Sequence, residues 1–133
     1  MDTIQPEAGK SVPFTMERKQ GKAPGTVIFH LRGPFTARTM FGTLTPIDFD
    51  NILSFHSTPS EKLPTLNIID LTDVPYMDSS GLGRIVNHFV HCNGKGIRMV
   101  VAGASPRVLE LFRMTKVDSA LTVAATLEEA ETK

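Results

Sequence analysis

The residues of this 133-residue chain best equipped for chemistry fall in one run, Asp70-Leu71-Thr72-Asp73-Val74-Pro75-Tyr76-Met77-Asp78-Ser79-Ser80-Gly81-Leu82-Gly83. Asp78, Ser79 and Ser80 are short polar side chains of the kind that cap a helix, because their oxygens accept from amides that the first turn leaves unpaired. Gly81 and Gly83 lack a Cβ and so let another surface come close to the backbone. The run admits two readings, a capped helix entrance and a recognition surface carrying two hydroxyls. A third makes Ser79 a nucleophile. Hydrolase catalysis places such a serine on a strained turn like Gly-x-Ser-x-Gly, with a base and an orienting acid around it. Asp-Ser-Ser-Gly-Leu lacks that frame, and none of His30, His56, His88 and His91 has a spacing that predicts contact with Ser79. The hydrolase is the outsider.

Other candidates are weaker. His88, His91 and Cys92 fall within about one helical turn, but no carboxylate or further cysteine completes a tetrahedral set. They read as surface histidines and a half-buried thiol. Gly94-Lys95-Gly96 lacks the Gly-x-x-x-x-Gly-Lys-Ser/Thr spacing of a phosphate loop and reads as a turn. No catalytic group, metal or cofactor is expected. Met77, beside Ser79, suits either a pliable partner surface or core filling, while Met99 within a strand fills core. Arg107 and Arg113 suit a basic patch or an ordinary solvated helix face.

The elements that must position these residues follow from periodicity. Met1 to Lys10 has no apolar face and reads as a flexible lead-in to a single domain over residues 11–133. Val12 to Gln20 reads as a strand, Gly21-Lys22-Ala23-Pro24-Gly25 as a turn, and Thr26 to Leu31 as the second strand of a hairpin. Gly33-Pro34 ends it, and Thr36 to about Phe55 reads as helix interrupted at Pro46. A polar loop from Ser57 to Pro64 leads to Leu66-Asn67-Ile68-Ile69-Asp70-Leu71, apolar at nearly every position, as in a central strand covered on both faces. Leu82, Ile85, Val86, Phe89 and Val90 form the stripe of an amphipathic helix, with Arg84, Asn87, His88 and His91 on its other side. Asn93-Gly94 ends that helix. Ile97 to Ala102 is a strand, and Ser105-Pro106 caps a helix burying Val108, Leu111 and Phe112. Leu121 to Ala125 is a last strand before a helix opened by Thr126-Leu127-Glu128-Glu129-Ala130.

Strands alternating with helices after a hairpin imply a mainly parallel sheet, since parallel neighbours need crossovers. Length allows one core. Hydrophobic residues at 41% and charged residues at 21% match a soluble globular domain rather than a disordered one. Fourteen basic residues balance fourteen acidic ones, so no net field draws the chain to nucleic acid or an acidic membrane. The lone Cys92 forms no internal disulfide, no secretory leader is visible, and no apolar stretch approaches the roughly 20 residues of a membrane span. A reducing cytoplasm is the natural setting, with any membrane contact made through a partner.

The run around Ser79 resembles the signature of STAS domains, especially the anti-sigma factor antagonists of bacterial sporulation and general stress control. The similarity extends from about Thr65 through Gly94-Lys95-Gly96, Val100-Val101-Ala102-Gly103, Ser105-Pro106-Arg107-Val108, Leu111-Phe112 and Val117 to Leu127-Glu128-Glu129-Ala130. It implies an α/β fold, an amino-terminal β hairpin and a small mixed, mainly parallel sheet, with about four helices packed mainly on one side. It implies a non-enzymatic switch. Ser79 corresponds to the serine that a kinase-type anti-sigma factor phosphorylates, and a PP2C-type serine phosphatase resets it. Unphosphorylated, the antagonist binds the anti-sigma factor and frees the sigma factor, with Met77, Asp78, Ser79, Ser80 and Gly81 at the partner surface. Two departures lie in the amino-terminal half. Gly33-Pro34-Phe35-Thr36 stands where such antagonists commonly carry acidic residues, and Thr43 to Asp50 resembles an insertion. A STAS module that scaffolds a sensory or transport complex without phosphorylation is the alternative. The sequence leaves the oligomeric state open.

Overall fold

The computed structural model describes residues 14–41 and 63–132. The lead-in, the start of the first expected strand, the Thr43–Asp50 segment, His56 and most of the polar loop lie outside these residues. So does the expected helix beyond Phe41.

Strands β1 (Thr15–Gln20) and β2 (Thr26–Arg32) form the expected hairpin, paired antiparallel from Thr15↔Arg32 to Gln20↔Val27. β1 is the sheet edge, and Glu17, Arg18 and Lys19 on it discourage pairing with another chain. A short helix α1 (Ala37–Phe41) follows, then β3 (Leu66–Asp73), α2 (Ser79–Gly94), β4 (Arg98–Ala102) and α3 (Pro106–Met114). A 3-10 turn (Val117–Ser119), β5 (Thr122–Ala124) and α4 (Leu127–Glu131) complete the described chain. The strands lie in sequence order, β1-β2-β3-β4-β5, with β2 to β5 all parallel. The first six residues of β3 are all buried, as its apolar run requires of a central strand.

Alternation divides the strand side chains between two faces. Phe29, Ile69 and Val101 point into a larger core with Leu82 and Ile85 of α2 and Val108 and Phe112 of α3. Their neighbours Ile28, Ile68 and Val100 face the other way, against Leu127 and Ala130 of α4. The helices therefore gather mainly on one side.

Helix α2 is rotated from the expected phase. Gly81, Leu82, Ile85, His88 and Cys92 are buried along it, whereas Val90 is 59% exposed. His88 is thus a core residue, not a surface one, and Cys92 is fully rather than half buried. The reason lies on β3. Buried Asn67 places Oδ1 at 2.6 Å from His88 Nε2, and its amide donates to the Val27 carbonyl at 3.0 Å. Cys92 Sγ lies 3.4 Å from the same Nε2. A polar partner in the sheet makes burial of an imidazole affordable, a fact that helix periodicity cannot register.

Candidate functional site

Because β2, β3 and β4 run parallel, the connections that leave them emerge at one edge of the sheet, where sites collect in open α/β folds. The first two connections are joined by backbone bonds. Phe35 N–H donates to the Tyr76 carbonyl at 3.1 Å, and Phe35 and Met77 form an isolated parallel bridge. Phe35 is fully buried and stacks on Phe14 with ring centroids 4.7 Å apart. The Gly33-Pro34-Phe35 segment is therefore core structure, with no acidic group to offer a partner.

Asp78 organises the entrance of α2. Its Oδ1 accepts from the amides of Ser80 at 2.9 Å and Gly81 at 3.1 Å, the bonds of a helix N-cap. Its Oδ2 accepts from Ala37 N–H at 3.1 Å, at the first turn of α1. One carboxylate thus caps two helices. Thr36 completes the start of α1, since its hydroxyl accepts from Thr39 N–H at 3.2 Å while its own amide donates to Thr39 Oγ1 at 3.0 Å.

Of the five residues expected at a partner surface, the structure exposes Ser79 and Ser80. Asp78 is half buried by its caps. The other two lie inside the fold. Met77 is 9% exposed and belongs to the main core, because the bridge to Phe35 turns its side chain inward. Gly81 is buried as well, and a Cβ there would lie 2.1 Å from the Phe35 carbonyl oxygen. Its missing side chain serves internal packing. Gly83, by contrast, has open space around its Cβ position.

Three features of this edge were not read from the sequence. His30 on β2 lies between two carboxylates of β3, with Nδ1 3.0 Å from Asp70 Oδ2 and Nε2 2.8 Å from Asp73 Oδ2. Burial opposes ionisation of Asp70, yet the Thr72 hydroxyl at 2.6 Å, the Thr72 amide at 3.0 Å and His30 together hold its carboxyl below the ordinary range. Both ring nitrogens of His30 thus face acids. The pairing His30↔Asp70 across parallel strands is invisible to spacing along the chain. Gly103, with φ at +72°, brings the turn after β4 so close to β3 that a Cβ would meet Thr72 Oγ1 at 2.2 Å. That approach sets Ser105 Oγ 3.5 Å from the Pro75 carbonyl and the Arg107 guanidinium 4.9 Å from the centre of the Tyr76 ring. Ser105 also caps α3, as expected, accepting from Val108 N–H at 3.2 Å.

Fold and site together define a small α/β domain that presents an exposed, doubly capped helix entrance at the carboxyl edge of a parallel sheet. The chain belongs to the STAS domain family, whose model matches residues 21–130. An anti-sigma-B factor antagonist of Listeria monocytogenes is 45% identical over 47 residues, which is 35% of this chain. The match spans 41% of the length of that relative. In fold, the chain is similar to a sulfate transporter family protein from Wolinella succinogenes, with a TM-score of 0.66 at 19% identity over 84% of this chain and 85% of the other. It is also similar to the anti-sigma factor antagonist SpoIIAA in its unphosphorylated form, with a TM-score of 0.59 at 20% identity over 89% and 96%. Among the described residues no helix is long and apolar enough to cross a membrane.

Proposed function

We propose that this chain is a cytoplasmic anti-sigma factor antagonist whose binding to a kinase-type anti-sigma factor is switched off by phosphorylation of Ser79. The observation that carries the reading is the exposed Ser79 hydroxyl at the first position of α2, held out by the Asp78 cap. Support comes from the Listeria antagonist and from the solved SpoIIAA, whose description as unphosphorylated names the modification. The chain acts by binding, and a PP2C-type phosphatase restores the free serine.

Electrostatics supply the switch. Phosphate adds roughly −1.5 to −2 charges at neutral pH, beside the charge of Asp78. Two like unit charges about 5 Å apart repel by roughly 1 kcal/mol in water and about 3 kcal/mol in a partly buried interface. As about 1.4 kcal/mol is tenfold in affinity, the complex is disfavoured. Phosphate at a helix amino terminus is locally favourable, so the fold survives modification. The test is titration of purified kinase-type anti-sigma factors with wild type, Ser79→Ala and Ser79→Asp. Binding by the first two and loss with Ser79→Asp supports the switch; equal binding by all three refutes it.

The fold likeness to the Wolinella sulfate transporter family protein favours a second reading, an unphosphorylated STAS scaffold in a transport or sensory complex. Failure of any anti-sigma kinase to bind or phosphorylate the chain would select it.

A further inference from the structure

We infer that Tyr76 and Arg107 form a preorganised recognition patch for an acidic side chain of the anti-sigma factor, an inference that rests on the proposed antagonist function. Tyr76 is 39% exposed, and Arg107 is exposed above its ring. Tyrosine and arginine are the residue types that dominate binding energy at protein interfaces, above all when they are held in place before the partner arrives. Here several contacts hold them. The Tyr76 carbonyl accepts from Phe35 N–H, Ser105 Oγ reaches the Pro75 carbonyl, and Gly103 locks the β4 turn onto Thr72. The patch leaves the sheet at the same edge as Ser79, two loop residues before the Asp78 cap.

The charge around it decides the chemistry of the partner. Asp78 commits its two oxygens to three amides, and Glu110 is paired with Arg113 on α3. Arg107 stacks on Tyr76 and donates no hydrogen bond to any described residue. Arg107 thus presents a planar, five-donor cation over an aromatic face, which suits a carboxylate. The same partner group then serves recognition and release. Arg107 attracts it when Ser79 is free, and phosphate at the same edge repels it.

The experiment measures affinity for purified kinase-type anti-sigma factors of the source organism, assayed one by one with unphosphorylated protein. Arg107→Glu should weaken the complex by about tenfold or more, and Tyr76→Ala by a similar factor. Lys22→Glu, the same charge change at the opposite end of the sheet, should shift affinity less than about twofold, as for a rim charge outside the interface. Arg107→Lys keeps the charge but loses the planar fork and should fall between. Arg107 is exposed on α3, so its variants stay informative if Tyr76→Ala loosens the loop. Circular dichroism and melting curves check each fold. Wild-type binding with Arg107→Glu equal to Lys22→Glu overturns this inference and leaves the antagonist reading standing. Absence of wild-type binding to every factor refutes the antagonist reading and this inference with it.

Discussion

Removing the Asp78 carboxylate tests the architecture of the site at its junction. In Asp78→Ala, α2 loses the acceptor for the Ser80 and Gly81 amides, and α1 loses the acceptor for Ala37 N–H. Loss of an N-cap costs about 1 kcal/mol, with a range of roughly 0.5 to 2. A hydrogen bond to a charged group contributes about 1.5 kcal/mol or more, which sets the Ala37 share. The sum is about 2 to 3 kcal/mol. For a domain of this size, about 4 °C of melting temperature accompanies each kcal/mol, so Asp78→Ala should melt roughly 10 °C below wild type. Asp78→Asn keeps one acceptor oxygen and can cap one helix but not both, so it should fall near the middle. Thermal melts give the totals, and amide hydrogen exchange locates them, with faster exchange expected at Ala37, Ser80 and Gly81. Asp78→Ala within about 2 °C of wild type, with Ala37 exchange unchanged, would refute the double cap.

The same glycine substitution should have opposite effects two residues apart in α2. Gly81→Ala drives a Cβ into the Phe35 carbonyl and should cost about 1 to 3 kcal/mol, while Gly83→Ala has open space and should gain about 0.5 to 1 kcal/mol from helix propensity; equal melting points would contradict the packing. Ile85→Ala should cost about 2 to 5 kcal/mol, whereas Val90→Ala should stay within about 0.5 kcal/mol. Urea melts in which Val90→Ala is clearly destabilising alongside Ile85→Ala would restore the helix phase expected from periodicity. Asp70 binds protons less readily folded than unfolded, so its contribution is present above the ordinary value of 3.8 and is lost as pH falls below it. Asp70→Asn should therefore be less stable near neutrality yet lose less stability on acidification, and an unchanged acid limb in pH-dependent urea melts would show that Asp70 is not the group responsible.

The strands and the helix entrances were legible because their signals are local. The apolar run from Leu66 to Leu71 marks a central strand, Ser105-Pro106 marks a helix start, and Asp78 before Ser79-Ser80-Gly81 marks another. What escaped depends on neighbours in space. Val90 completes an apolar stripe on a helical wheel but faces solvent, because Asn67 of β3 accepts His88 in its place. Gly81 read as a place for a partner to approach, and Phe35, 46 residues earlier, fills that space. Met77 went inward for the same reason. The Tyr76–Arg107 contact and the His30 bridge to Asp70 and Asp73 join residues from separate strand ends. Only the parallel register of the sheet brings them together.

The central claim is that phosphate on Ser79 controls binding without disturbing the fold. The direct measurement is to phosphorylate the protein with its cognate anti-sigma kinase, locate the phosphate by peptide mass spectrometry, and compare calorimetric affinity and melting temperature for the modified and unmodified forms. The account predicts phosphate on Ser79 and not Ser80, affinity reduced about tenfold or more, and a melting temperature within a few degrees of the unmodified protein. Phosphate on Ser80 alone, or undiminished affinity with Ser79 fully modified, would contradict it.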